Sequence, residues 1–192
     1  MNILTLLTQD HRNLTPLFAR AAAAAGEPEE LVHVRDLVSE HISRHAAVEE
    51  QLLYPALLEQ AGDDRPAVLR ALEDHHAAET LLAEALQLPA ADERLPAKLS
   101  LLADDVTRHL EHEEQELFDL ARRTLTEPRL EELGEQAERV KAMAPTQPHP
   151  HMTGKPAWQA ALALPVHLTD KALTTSRKLV GQLLGSRADG GS

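Results

Sequence analysis

The sequence contains no cysteine, so neither disulfide bonds nor thiolate ligands are available to it. Iron–sulfur clusters and cysteine-bound zinc are therefore excluded, and any metal ion must be held by nitrogen and oxygen donors. Aromatic residues are also scarce, at 2% of a chain that is 43% hydrophobic. The core must therefore be built mainly from leucine, alanine and valine.

Long apolar runs are absent as well. No stretch of the sequence approaches the roughly 20 consecutive apolar residues that a membrane-spanning helix needs. Residues 1–10 contain neither the basic start nor the full apolar stretch of a secretory signal. A cytoplasmic protein is the default expectation, and a membrane partner is not expected.

Basic residues are in the minority, with 19 Lys and Arg against 31 Asp and Glu and a formal net charge of −12. Contacts with nucleic-acid phosphates need clustered Lys and Arg. The charge balance therefore argues against a nucleic-acid-binding surface on the body of the protein. Beyond that, the acidic balance indicates little except solubility.

The chain is rich in helix-forming residues, and nothing in it alternates as a half-buried strand does. The apolar periodicity predicts an all-α fold with five helices, at about residues 3–25, 29–59, 65–88, 92–125 and 128–144. Short connections between the first four helices predict antiparallel neighbours and hence an up-down-up-down four-helix bundle. Pro16 is expected to weaken or kink the first helix.

The 192 residues are expected to divide into three parts. Residues 1–127 form the bundle, residues 128–144 the short fifth helix, and residues 145–192 a Pro- and His-rich linker with a weakly amphipathic, partly disordered C-terminal tail. The tail is open to three interpretations: docking on the bundle, dimer formation or contact with a membrane surface. Its modest basic charge makes membrane attachment the weakest of these. The sequence does not predict the oligomeric state.

One pattern occurs twice, far apart in the sequence. Residues 45–54 and 109–118 each read His, three residues, Glu-Glu and then, at the same distance, an aromatic residue. Residues four apart on a helix stand on the same face, about 6 Å apart along the axis. A metal ion can therefore take an imidazole nitrogen and a carboxylate oxygen from one helix, from His45 and Glu49 or from His109 and Glu113.

Each of the first four helices also places one histidine on its apolar stripe. These histidines are His11, His45, His75 and His109. Even one unpaired buried polar group costs roughly 1–3 kcal/mol, so the histidines must pair with other protein groups or with a metal. One such histidine alone indicates a hydrogen-bonded core residue, and one His–Glu pair alone indicates a solvated contact. Four histidines together with two matching glutamates favour a metal site.

Four imidazoles and two carboxylates provide more donors than a closed tetrahedral zinc site takes. Shared between two ions with bridging carboxylates, they suit a di-iron centre that keeps open positions for an external ligand. Ferritin-type di-iron bundles use Glu-x-x-His and more carboxylates than imidazoles. Here histidine prevails, so a histidine-rich iron pair is the sharper interpretation.

The chain resembles the hemerythrin-like family, specifically its HHE cation-binding domains, over about residues 3–125. The matching residues are Asp10-His11, His45 with Glu49-Glu50 and Tyr54-Pro55, Asp74-His75 with Leu81-Leu82, and His109 with Glu113-Glu114 and Phe118. The resemblance implies an oxo- or hydroxo-bridged pair of non-haem irons that binds O₂ or a related small molecule. It implies Glu49 and Glu113 as the bridging carboxylates.

One position departs from the family pattern. Hemerythrins that carry oxygen have a second histidine one turn after the ligand on the third helix, and this chain has Glu79 there. A carboxylate or an open position changes the charge of the iron and the access to it. Handling of peroxide, nitric oxide or iron is therefore at least as well supported as simple oxygen carriage.

Several neighbouring residues have alternative interpretations. His41 could orient a metal ligand by contacting it, or could have a core or solvated role. His76 is a weaker candidate for a metal ligand than His75. His112 and Glu116 repeat the spacing but are expected on the surface. Tyr54 is expected mainly as an aromatic core residue, with an approach to the metal as the second interpretation.

Three hypotheses for function follow. The first is a di-iron protein that binds or reduces O₂, peroxide or NO, with peroxide decomposition as a conceivable activity. The second is an iron- or oxygen-responsive sensor or interaction module whose tail acts on a partner. The third is a helical scaffold with a hydrogen-bonded polar core and no physiological metal. The Pro-His-Pro-His tail is similar to those of actinobacterial family members, which supports a bacterial origin.

Overall fold

The computed structural model describes residues 1–144, which are helical almost throughout and contain no strand. The α-helices are α1 (Ile3–Ala23), α2 (Pro28–Val48), α3 (Tyr54–Gln60), α4 (Arg65–Leu86), α5 (Arg94–His112), α6 (Phe118–Thr124) and α7 (Glu127–Met143). Two π-helical turns, Glu49–Leu53 and Glu113–Leu117, join α2 to α3 and α5 to α6.

The seven α-helices form five rods, because each π-helical turn continues the helix before it. The first four rods begin with α1, α2, α4 and α5 and pack around a common core, and α7 is the fifth. The predicted all-α bundle with a fifth helix is therefore confirmed. The predicted linker and tail lie outside the described residues. Among residues 1–144, no helix has both the length and the apolar character needed to cross a membrane.

Helix α1 begins at a side-chain cap and runs without interruption past a proline. The Asn2 Oδ1 atom accepts a hydrogen bond of 3.0 Å from the Thr5 backbone N–H, as N-cap residues do. Pro16, which is expected to weaken or kink the helix, does not end it, since α1 continues to Ala23. Pro16 and Arg12 are both exposed, so the carbonyl that loses its partner at Pro16 is on the solvent side of the helix.

The apolar core consists of two clusters at different heights of the bundle. One cluster includes Ile3, Leu7, Leu57 and Leu72 and takes in residues of α7, and the other includes Leu14, Val38, Leu82 and Leu102. His11 lies between Leu7 and Leu14 in α1, and the buried histidines of the other three rods likewise fall between residues of the two clusters. The bundle therefore holds one buried polar layer between two apolar ones.

Candidate metal centre

The two π-helical turns place one glutamate each inside the bundle. The backbone N–H of Tyr54 donates to the carbonyl of Glu49, and that of Phe118 donates to the carbonyl of Glu113, five residues back in both cases. Such turns occur mostly as single insertions in α-helices and frequently at functional sites. Both glutamates are completely buried, at 0% exposure.

The six candidate residues come together in two overlapping groups. The donor atoms of His11, His45, Glu49 and Glu113 all lie within 4.8 Å of one another, and so do those of Glu49, His75 and His109. We call these groups the His11–His45 position and the His75–His109 position. Glu49 belongs to both, and all six side chains are buried.

The Nε2 atoms of the histidines converge on the two carboxylates. Glu49 Oε2 is 3.0 Å from His45 Nε2 and 3.2 Å from His75 Nε2. Glu113 Oε2 is 3.5 Å from His11 Nε2 and 4.0 Å from His109 Nε2. Each carboxylate therefore lies between a histidine of one position and a histidine of the other, with Glu49 the more closely held.

Most of these converging atoms are not satisfied by hydrogen bonds. All four carboxylate oxygens of Glu49 and Glu113, and the Nε2 atoms of His11 and His45, are buried without a well-aligned hydrogen-bond partner. Leaving a buried polar group unpaired costs about 1–3 kcal/mol, and more for a charged one. A cation among these atoms would remove that cost, so the residues present fit a metal ion.

The electrostatics of the cluster also favour an added positive charge. Burial and the nearby Glu49 carboxylate both raise the pKa of Glu113. Burial opposes ionisation of Glu49 too, but His45 and His75 outweigh it and hold the pKa of Glu49 well below its usual value. Burial lowers the pKa of His45, yet Glu49 and Asp10 raise it further, to about 10. In the metal-free chain the charged His45 thus supplies positive charge beside Glu49 that a bound cation would otherwise supply.

The model of the hemerythrin HHE cation binding domain family matches residues 2–121 of this chain. The chain belongs to the hemerythrin HHE cation-binding domain family. Its fold is similar to the crystal structure of a hemerythrin HHE cation binding domain-containing protein from Mycobacterium kansasii, with a TM-score of 0.64 at 21% identity, covering 74% of this chain and 88% of that one. Among curated proteins, none gives a significant match.

In this hemerythrin HHE domain, each of the four histidines that are buried within residues 1–144 also faces a carboxylate with its other ring nitrogen. His11 Nδ1 is 2.7 Å from Glu114 Oε1 and His75 Nδ1 is 2.9 Å from Glu50 Oε1. The pairs formed by His45 with Asp10 and by His109 with Asp74 are looser, at 3.7 and 3.9 Å. A carboxylate at Nδ1 fixes the tautomer and orientation of the ring and leaves Nε2 free for a metal.

Sequence reasoning did not find these four partners. They are Asp10, Glu50, Asp74 and Glu114, each adjacent in sequence to one of the six candidate residues. Each carboxylate supports a histidine on another rod: Asp10 of α1 faces α2, and Asp74 of α4 faces α5. An acidic residue directly beside a candidate ligand, as in the Asp-His and Glu-Glu pairs of the sequence, is the signal that could have identified these partners.

Tyr54 reaches the cluster as well as the core. Its side chain is completely buried, and its hydroxyl oxygen is 3.2 Å from His75 Nε2. Burial, Glu113 and Glu49 together raise the pKa of Tyr54 well above its ordinary value, so the phenol is protonated in the metal-free chain. Tyr54 is therefore an aromatic core residue that also places its hydroxyl oxygen at the His75–His109 position.

The remaining candidates are more exposed than the residues of the cluster. His76 is exposed, and His41 is partly exposed. His112 Nε2 pairs with Glu116 Oε2 at 3.1 Å, and the Glu116 side chain is 60% exposed. This further His-x-x-x-Glu pair therefore belongs to the surface, in agreement with its register on the helix.

A small apolar pocket opens beside the cluster. Its walls include His45, His75 and His109 together with Glu79. The apolar lining is Leu14, Ile42, Ala46, Ala78, Val106 and Leu110. The cavity has a volume of about 20 Å³, slightly more than one water molecule needs. Burial, assisted by Glu50, raises the pKa of Glu79, which favours an uncharged side chain in this wall.

Proposed function

We propose that this chain is a non-haem di-iron protein that binds, or reacts with, O₂, peroxide or nitric oxide. One observation carries the proposal: the buried Glu49 carboxylate is shared between two groups of histidines. A carboxylate between two sets of imidazoles is suited to bridging a pair of ions. Single closed zinc sites take about four ligands and need no such sharing.

Under this proposal His11 and His45 would hold one iron and His75 and His109 the other, with Glu49 and Glu113 as the carboxylates shared between them. Nitrogen and oxygen donors with an open position suit iron that exchanges small ligands. The bound irons would supply redox chemistry and a Lewis-acidic position for such a ligand.

The surroundings of the cluster support a ligand of two or a few atoms. The pocket is small, is lined mainly by apolar side chains and meets three of the histidines. A bulky or strongly hydrated substrate would lose its water there without compensation. Glu79 stands where oxygen-carrying relatives have a further histidine, so the chain provides one imidazole fewer at the His75–His109 position.

The proposal extends to the setting of the protein. The small ligand is the expected partner, in place of nucleic acid, and the expected location is the cytoplasm of a bacterium. We further propose that residues 1–127 form the functional bundle, with residues 128–144 and 145–192 as additions to it.

The test is to load the purified chain with Fe(II) without oxygen and to add O₂, peroxide or NO separately. At least one of them is expected to change the near-ultraviolet and visible absorption of the loaded chain. A chain saturated with iron whose spectrum responds to none of the three would contradict the proposal. Repeated additions of peroxide, with oxygen release followed by an electrode, would separate turnover from binding.

A further inference from the structure

The fifth helix contacts the outer side of the candidate centre through one lysine. Lys141 Nζ lies 2.6 Å from both carboxylate oxygens of Asp10. Asp10 Oδ2 in turn lies 3.7 Å from His45 Nδ1. The side chains of Lys141 and Asp10 are only 23% and 17% exposed, so water screens this contact less than it screens a surface ion pair.

The other half of the centre has no equivalent cation among the described residues. Asp74 faces His109 as Asp10 faces His45, at 3.9 Å. The basic side chain beside Asp74 is Arg70, whose Nε is 3.9 Å from Oδ2 and whose side chain is 65% exposed. The two halves therefore share the imidazole–carboxylate pair and differ in the cation behind it.

The position of the lysine is set by the packing of α7. Leu130, Leu133 and Ala137 are buried in the same apolar cluster as α1. Gly134 lies directly against the backbone of Met1 and Asn2. Because α7 follows the last residue of the family match, residue 121, this lysine comes from outside the part of the chain that the family model describes.

A carboxylate that orients a ligand imidazole must itself be held in place. Lys141 donates a hydrogen bond to Asp10 Oδ1 and lies equally close to Oδ2, so this contact keeps Oδ2 directed at His45. We infer that Lys141 is a positioning residue for the His11–His45 position and acts there through Asp10. This inference rests on the proposed metal site and adds that α7 controls one of its two ions.

The direct test compares Lys141→Met with the unaltered chain in anaerobic calorimetric titrations with Fe(II). Loss of a group that orients a metal ligand weakens metal binding by about 10–100-fold, and Lys141 acts one contact further out. We therefore expect one of the two dissociation constants to rise about 3–10-fold, with the other unchanged. Lys141→Arg should leave that dissociation constant near the value of the unaltered chain, because arginine keeps a positive charge beside Asp10.

Two further variants distinguish this role from a general structural one. Arg70→Met removes the cation in the corresponding place of the other half, and we expect both constants to stay within about twofold, because that contact is long and exposed. In the Asp10→Asn background, Lys141→Met should add nothing, because its effect passes through Asp10. Circular dichroism of each metal-free variant checks that the helices remain.

Several outcomes would overturn the inference. The inference is wrong if Lys141→Met leaves both dissociation constants unchanged or raises both of them equally. It is also wrong if Lys141→Arg does not restore binding, or if the effects of Asp10→Asn and Lys141→Met add in the double variant. If Lys141→Met does not fold, Lys141→Leu, which likewise removes both the cation and the hydrogen-bond donor, is titrated in its place and judged by the same criteria. An unaltered chain that binds no Fe(II) contradicts the proposed function and this inference together, whereas two bound ions with no effect of Lys141 contradict only this one.

Discussion

Glu49 and Glu116 are both glutamates one turn after a histidine, yet their surroundings differ completely. Glu49 is 0% exposed and lies among donors from both positions, whereas Glu116 pairs with His112 near solvent. Spacing alone makes the two pairs equivalent. Burial separates a candidate bridging ligand from a surface contact.

This difference gives a matched pair of variants. Glu49→Gln keeps the volume of the side chain but removes the charge that the two proposed ions would share, so Fe(II) affinity should fall by more than about 100-fold, beyond the effect of losing an outer partner. Glu116→Gln should leave the iron content unchanged. Iron is measured by elemental analysis after gel filtration. Equal iron in the two variants would show that Glu49 is not a ligand.

The charge of His45 predicts a pH dependence for the metal-free chain. Its pKa is raised from 6.5 to about 10 in the fold, mainly because Glu49 and Asp10 outweigh the effect of burial. A raised pKa adds stability that is complete below the ordinary pKa and is lost as the pH rises through the higher value. Urea unfolding of the metal-free chain should therefore show falling stability between about pH 7 and pH 10.

His45→Gln removes the titrating group and serves as the control for this pH dependence. Its metal-free form should lose less stability over the same pH range. A metal-free chain that became more stable towards pH 10 would contradict the assignment of a charged His45.

The sequence was sufficient to choose six candidate ligands but not their outer partners. Apolar periodicity shows which side chains face the core, and His11, His45, His75 and His109 are buried as expected. It does not show which acidic residue of a neighbouring rod reaches the far side of each ring. That depends on the relative rotation of two rods, which no single helix encodes.

At the scale of elements, the π-helical turns are the main feature that sequence reasoning missed. The α-helical stripe predicts Leu52 and Ala56 inside after Glu49. Ala56 is buried, but Leu52 is only partly buried, and Leu53 and Leu57 are buried completely. The extra residue of the first turn shifts the buried face of its rod, whereas Leu117 and Leu120, on the stripe that follows Glu113, stay buried. Ordinary helix propensities give no sign of it, and Pro55 is not its general cause, since the second turn is followed by no proline.

The docking of α7 depends on a glycine that permits close contact. A Cβ atom at Gly134 would overlap the backbone carbonyl oxygen of Met1. Gly134→Ala should therefore push α7 away from α1 and lower the free energy of unfolding by about 1–3 kcal/mol, as overpacking does. Denaturant unfolding measures the change.

Gly26→Ala is the control for that substitution. Nothing lies within 4 Å of a Cβ atom at Gly26, and its φ is not positive. The substitution should leave stability unchanged or raise it by up to about 1 kcal/mol. If both substitutions lowered the free energy of unfolding by similar amounts, close packing against Met1 would not be the reason for the effect of Gly134→Ala.

At the scale of the whole molecule, the polar layer joins all four rods of the bundle between two apolar clusters. A metal ion that binds only the native state stabilises it by mass action, by about 2.7 kcal/mol at a free concentration 100 times the dissociation constant. For a chain of this size that corresponds to a rise in Tm of roughly 5–10 °C. Removal of iron by a chelator should reverse the rise, measured by differential scanning calorimetry.

The variant Glu49→Gln separates this effect from a general action of the chelator. Its Tm should not respond to iron or to the chelator, since the shared ligand is missing. A Tm of the unaltered chain that is indifferent to both reagents would favour the scaffold hypothesis, in which the polar layer is satisfied by the protein alone.

The all-α bundle followed from composition and periodicity, because strong helix formers and short connections leave few alternatives. The contacts that join α1 and its cap to α7 did not follow from composition or periodicity. Asn2 Nδ2 donates to Glu127 Oε1 at 2.9 Å, and Lys141 meets Asp10. Such contacts between residues more than 100 positions apart depend on the finished packing of α7, which periodicity within a helix does not specify.

The central claim is that the buried histidines and glutamates hold two irons. The most direct test is iron and zinc analysis of chain expressed in iron-replete medium, with an absorption spectrum before and after peroxide. We predict two irons per chain and a near-ultraviolet absorption that peroxide changes. A chain with no iron, or with one tightly held zinc, would contradict the claim and leave the polar layer with a structural role or another metal.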